Sequence, residues 1–248
     1  MNPELLTCRR LTAGLLYPPL SLQTVDLNRL YALITERYPY QTLQHLPDGV
    51  RMANPNNDCF VQQGRIQVNE EVMYFQASKE KCLDIFNLVQ SRANIQQFLT
   101  FGVKLTAFLP LSEPEAAVQL LESRAVAIRP EQWDILGPGR KGTGLRIVLH
   151  QDGVHELRIE PFFNDPSQLY VELDVQHPQP FTGLDGIEAK MDAVYEYMFG
   201  NVKDFLASLK LERGPGKGYG FLPLTLGEGT GVMAGCPHVG KPSLSVKY

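Results

Sequence analysis

Apolar positions along this chain switch back and forth between two periods, and one order of switches is run through twice. From Leu184 to Leu209 they fall at Ile187, Met191, Val194, Tyr195, Met198, Val202, Phe205, Leu206 and Leu209. Steps of three and four keep one stripe of an α-helix apolar for about seven turns. Lys190, Asp192, Glu196 and Lys203 fall off the stripe, and Thr182 or Asp185 is placed to cap the first turn. A helix this long and one-sided requires a broad apolar surface, which the strand-patterned run before it supplies.

From the N-terminus, residues 5–16 read as a strand stopped by Tyr17-Pro18-Pro19, since proline removes a ladder donor. Asp26 caps a helix that carries Leu27, Leu30, Tyr31 and Ile34 on one face. Strands are expected at 41–46 and 49–53, split by the turn residues Pro47-Asp48-Gly49. Further strands are expected at Cys59–Val68 and Val72–Gln76, before a helix that Ser78 caps and that runs from Lys79 to Leu99. The pattern then restarts. Val103, Leu105, Ala107 and Leu109 alternate along a strand, Glu113–Glu122 is a short helix, and Ala125–Leu136 reads as a strand kinked at Pro130. Beyond the loop Gly137–Gly144, Leu145, Ile147 and Leu149 alternate up to Asp152-Gly153, a two-residue hairpin signal. Val154–Phe163 returns, and Leu169, Val171, Leu173 and Val175 form the cleanest period-two run in the chain.

Residues 1–99 and 100–209 therefore each read strand, helix, antiparallel strands, helix. This is an α+β fold with a duplicated pattern, followed by a Gly/Pro-rich tail at 210–248. Two sheets joined edge to edge, or two sheets each backed by its own helices, suit such a pattern. With no Pro/Gly-rich linker near Leu99–Gly102, the halves are expected to share an extensive interface as one pseudo-symmetric body.

Composition narrows the partners. The 248 residues carry a net charge of −4, with 44% apolar and 20% charged residues, as in an ordinary globular protein. A pI near 5.8 provides no bulk basic field for nucleic acid or an anionic membrane. Cys8, Cys59, Cys82 and Cys236 form no Cys-x-x-Cys pair and no disulfide framework, so they read as reduced thiols of a cytoplasmic protein. Neither a secretory signal nor an apolar run of membrane-spanning length is recognised.

The run Leu157-Arg158-Ile159-Glu160-Pro161-Phe162-Phe163, the turn at Asp165-Pro166, Glu172-Leu173-Asp174-Val175 and a long helix with Tyr195 and Phe199 resemble a sporadically distributed, uncharacterised bacterial family. Tyr17-Pro18-Pro19-Leu20 before a helix is similar to that family's opening. The resemblance spans about residues 5–209 and implies a fold, since no activity comes with it. The duplicated strand-helix-strands-helix order also looks like the saddle of the TATA-binding protein, a likeness of topology that carries no function.

The densest polar constellation is Arg146, His150, His155, Arg158, Glu160, Tyr170, Glu172 and Asp174, on three successive expected strands. Paired as hairpins, these side chains are expected on one face. A carboxylate beside histidine is what general acid–base chemistry needs, and His150, His155, Glu172 and Asp174 are the catalytic candidates. Cross-strand ion pairs on a solvated face give the same pattern. The glycine-rich stretches around Arg140-Lys141 and around Lys217-Tyr219 can present backbone N–H groups to phosphate, but neither has the spacing of a phosphate loop or a dinucleotide fingerprint. Phe221, Leu222 and Leu224 form an apolar island suited to docking on the body or adding to a partner's sheet. Cys236 and His238 are too few for a zinc site, and His45 and His177, beside prolines, read as solvated turn residues.

The sequence implies no metal and no cofactor. It is read as a non-enzymatic binding or assembly component that engages a protein partner through Arg146, Arg158, Tyr170 and the tail. The alternatives are a nucleic-acid-binding or RNA-processing protein and a hydrolase centred on His155, Glu172 and Asp174.

Overall fold

The computed structural model describes residues 1–113 and 116–209. Nine strands form one antiparallel sheet: β1 (Thr7–Leu16), β2 (Thr42–Leu46), β3 (Gly49–Ala53), β4 (Asp58–Gln62), β5 (Arg65–Glu71), β6 (Thr100–Pro110), β7 (Leu145–Gln151), β8 (Gly153–Pro161) and β9 (Gln168–His177). Their order is β2-β3-β4-β5-β1-β6-β9-β8-β7. The α+β fold is thus built on one sheet, continuous across β1 and β6, which pair from Thr7↔Phe108 to Leu16↔Thr100.

The helices are α1 (Leu27–Arg37), α2 (Phe75–Ala93), α3 (Ala116–Leu120), α4 (Pro130–Asp134), α5 (Ile187–Tyr197) and α6 (Lys203–Leu209), with a π-helical turn at Met198–Val202 joining the last two. The alternation of β6, β9 and, from Leu11 on, β1 sends Leu11, Ala13, Leu15, Phe101, Val103, Leu105, Val171 and Leu173 to one face, where all are buried. Ile85, Phe86 and Val89 of α2 and Met191 and Val194 of α5 belong to the same core cluster. The sheet therefore has a helix-covered face. The opposite face carries no helix among the described residues.

Several boundaries differ from the sequence expectation. Cys59–Val68 is a hairpin of β4 and β5, turned at Gln63-Gly64. Val72–Gln76 is not a strand: Met73 and Tyr74 are exposed, and α2 begins at Phe75, whose ring stacks on Tyr195 at 4.1 Å. The apolar run there serves helix–helix contact, so a strand reading of it fails. Ser78 caps nothing and is buried inside α2, which ends at Asn94 (φ 52°), a residue that tolerates the left-handed conformation. Ala125–Leu136 is not a strand either; it passes from a π-helical turn into α4. At the head of α5, Gly186 occupies the N-cap without a side-chain bond, so neither Thr182 nor Asp185 caps it. Asp26 does cap α1, accepting the Arg29 N–H at 2.9 Å.

Two buried lysines tie the layers together. Lys79 on α2 reaches Asp192 at 2.8 Å and Glu188 at 2.9 Å on α5. Lys81 meets Glu70 of β5 at 2.7 Å beneath the ring of Tyr40. No helix among the described residues is long and apolar enough to cross a membrane.

Candidate functional site: the open sheet face and a histidine-lined cleft

Because successive side chains of a strand point to opposite faces, parity decides where each candidate stands. Arg146 and His150 on β7, Arg158 and Glu160 on β8, and Tyr170, Glu172 and Asp174 on β9 share the open face. Cross-strand register sets Arg158 opposite both Arg146 and Glu172, and Glu156 opposite Asp174. Arg146 grips Glu156 through two bonds of 2.8 and 2.6 Å, and Arg158 reaches Glu172 at 3.2 Å and Glu160 at 3.3 Å. Glu172 also accepts the Tyr170 hydroxyl at 2.5 Å and has Lys104 at 3.8 Å.

Partners shape the titration of this face. The Arg146 hydrogen bond holds the Glu156 carboxyl below its ordinary value. Burial pushes the Tyr170 phenol up to about 12, with Glu172 acting in the same direction. Burial likewise raises Asp174, against the hydrogen bond from Gln176. Acid and base already satisfy one another here.

The open face continues past the β1–β6 seam. Arg51 pairs with Asp58 at 2.7 Å, and the Arg51 and Arg65 guanidinium groups each lie 5.6 Å from the centre of the Phe60 ring. Gly14 and Gly102 pair across the seam, and a trough of about 270 Å³ opens there among Thr12, Arg65, Gln67, Lys104, Asp174 and Gln176. A register shift between Cys8 and Arg10 marks a bulge that leaves Arg9 and Arg10 both exposed. With Arg51, Asn54, Asn56 and Asn57 they line a pocket of about 410 Å³. Sequence reasoning missed these arginines; two adjacent charges inside a strand pattern were the available signal.

His155 does not belong to this face. It is the odd-numbered member of the constellation, and it packs on the helix-covered side with Leu157 and Ile159, 8% exposed. Glu172 and Asp174 project from the other side of the sheet, so the expected His155–Glu172–Asp174 grouping does not form. Its companion is His177, expected in a solvated turn but found closing β9 at 7% exposure, stacked on Phe101 at 5.9 Å. His45, also expected in a turn, is an exposed residue of strand β2.

The two histidines line a cleft of about 420 Å³ with Asp152, Lys190, Val194 and Tyr197. The Tyr197 ring stands edge-on to His155, 5.1 Å between centres. Burial lowers both imidazoles below the ordinary histidine value; Lys190 adds to this at His177, while the nearby Asp152 opposes it. Nδ1 of His155 and Nε2 of His177 are buried with no hydrogen-bond partner among the described residues. Neutral imidazole presents one donor and one acceptor nitrogen, so the cleft holds polar capacity inside an apolar wall. None of the described residues that line it is a serine, threonine or cysteine.

The remaining candidates fall elsewhere. Arg140 pairs with Glu122 of the π-helical turn before α4 and covers the Trp133 ring of α4 at 4.4 Å, so its charge is used in tying its loop to these segments; Lys141 beside it is exposed. Cys8, Cys59 and Cys82 are free and buried, and burial pushes the Cys8 thiol up to about 11 and that of Cys59 up to about 12. Among the described residues no group of three or more His, Cys, Asp or Glu side chains could hold a metal ion. Lys217, Tyr219, Phe221, Leu222, Leu224, Cys236 and His238 lie outside the described residues.

No protein-family model matches the chain, and no curated protein matches it in sequence. Its class rests on the fold: an α+β protein with a nine-stranded antiparallel sheet covered by helices on one face.

Proposed function

We propose that this chain is a non-enzymatic binding or assembly protein that engages a protein partner through the open face of its sheet, with the stretch 210–248 contributing to the same interaction. The observation that carries this reading is the make-up of that face: Arg51 and Arg65 stacked on Phe60 and Arg158 beside Tyr170, with Arg51 and Arg158 held in place by the cross-strand carboxylates Asp58 and Glu172. Arginine and aromatic side chains fixed in advance are what protein interfaces concentrate. The sheet order, β5-β4-β3-β2 outward from β1 and β9-β8-β7 outward from β6, supports the further proposal that the chain is internally duplicated.

A second reading, nucleic-acid binding, draws on the pocket of Arg9, Arg10 and Arg51. The paired acids elsewhere on the face weigh against it. The test compares the immobilised full chain with a folded Arg51→Glu/Arg158→Glu variant. A defined set of proteins retained by the first and lost by the second is the expected result. Retention of the same set by both refutes the reading. Salt-dependent retention of RNA or DNA instead would favour the second.

A further inference from the structure

The two flanks of the sheet are unequal. Among the described residues, four strands stand outward from β1 and three outward from β6, where β7 is the last. In the first flank a helix is followed by β2, which covers β3. At the corresponding point of the second flank the chain runs through α4 and the loop before β7, without a strand. β7 therefore occupies the position of β3, with no strand beside it among the described residues. Val50 and Met52 of β3 are fully buried, whereas no residue of β7 is: Leu145, Ile147 and Leu149 stay half-buried and Val148 is 48% exposed.

β7 also lacks the usual safeguards of an edge strand. It contains no proline, lysine or bulge, and its one formal charge, Arg146, is turned back onto Glu156 of β8. The opposite edge is different: β2 is a five-residue strand with polar Thr42, Gln44 and His45, set between Pro39 and Pro47. The segment leading into β7 exposes Ile128, Ile135 and Leu136 as well.

We propose that β7 is the interface of a homodimer in which two copies pair antiparallel about Val148, making one sheet continuous through both. The register is self-complementary. Val148 faces Val148 on the axis, Ile147 faces Leu149, and Leu145 faces Gln151, so the apolar helix-side row continues across the joint. On the open side Arg146 meets His150, and no arginine meets its own copy. Isologous pairing of this kind closes at two subunits and leaves β2 at both outer ends. This inference is independent of the partner proposed for the open face.

Sedimentation of the full chain over a range of concentrations tests it. The wild type is expected to be dimeric. Val148→Lys, which sets like charges opposite each other at an exposed site, should keep its circular dichroism and weaken the dimer about tenfold or more. In a Cys236→Ser background, Val148→Cys should oxidise to a covalent dimer, because the Cα atoms of directly opposed antiparallel residues lie about 4.5–5.5 Å apart, inside the roughly 4.4–6.8 Å that a disulfide spans. Arg146→Cys, which faces His150, should not. A monomeric wild type overturns the proposal, whether or not its β7 amides resist hydrogen exchange. A dimer indifferent to Val148→Lys, with no preference for the cysteine at 148, overturns it equally.

Discussion

Replacing Glu70 alone should destabilise the protein more than replacing the whole ion pair to which it belongs. Glu70 and Lys81 meet at 2.7 Å and both are buried. At an effective dielectric of about 20, unit charges at that separation attract by roughly 6 kcal/mol. Taking the two ions out of water costs several kcal/mol each, so the pair's net contribution is small. Glu70→Leu strands the Lys81 ammonium with only the rings of Tyr38 and Tyr40, at 5.4 and 4.4 Å, for company. The expected loss is about 3–5 kcal/mol. Lys81→Met should be milder, because burial has already raised the Glu70 carboxyl and it can take up a proton instead of staying charged and alone. The double replacement leaves only the Tyr40 hydroxyl without its 3.2 Å acceptor, a loss of about 1–3 kcal/mol, and adding Tyr40→Phe should recover most of it. Urea unfolding of the single, double and triple variants, with unchanged m-values, measures the cycle. A double variant that loses the sum of the two singles would refute the reasoning, since the charges would then be acting independently.

Other outcomes follow from the same structure. Stability should decline as pH falls below about 6.5, the ordinary histidine value. Burial holds His155 and His177 below it, so the unfolded chain binds protons the folded one refuses, and a contribution complete above that pH is lost on acidification toward the folded values. Unfolding midpoints that stay level through this window, or that fall equally in a His155→Gln/His177→Gln variant, would count against it. Gly49→Ala should cost upward of about 3 kcal/mol, because a Cβ there would sit 2.1 Å from the Val61 carbonyl oxygen. Gly102→Ala meets only the flexible end of Gln176 at 2.6 Å and should cost less than about 1 kcal/mol; equal thermal shifts in the two would show the distinction to be false.

The fold was legible where periodicity ran long. Leu169 to Val175 alternates without a break, and the strand is found there; the stripe from Ile187 to Leu209 gives the helical run that packs on the sheet. Short apolar clusters misled, because their burial depends on distant partners. Val72–Gln76 has strand composition, yet Phe75 is claimed by Tyr195, which no local rule foresees. Part of the site was readable by alternation within one strand. Arg158 alternates with the buried Leu157 and Ile159, so His155, two residues before Leu157, falls on the other face. That Arg158 meets Glu172 needed the register between strands. His177 was hidden by the neighbouring proline, which suggested a turn where β9 still continues. The Arg9–Arg10 pocket depends on a bulge, and a bulge leaves little trace in composition.

The β1–β6 seam also constrains the order in which the molecule can assemble. Its pairs join residues far apart in sequence, from Leu16 with Thr100 to Thr7 with Phe108, so a long stretch of chain must be closed before the central pairing returns anything. During synthesis β1 emerges first and β5 follows, yet the other side of β1 stays open until residues 100–110 arrive. The strand at the middle of the finished sheet is, for that interval, an edge. Folding of this chain should therefore be slow for its size, and its period of greatest risk of mispairing falls between the emergence of the two strands that later hold it together.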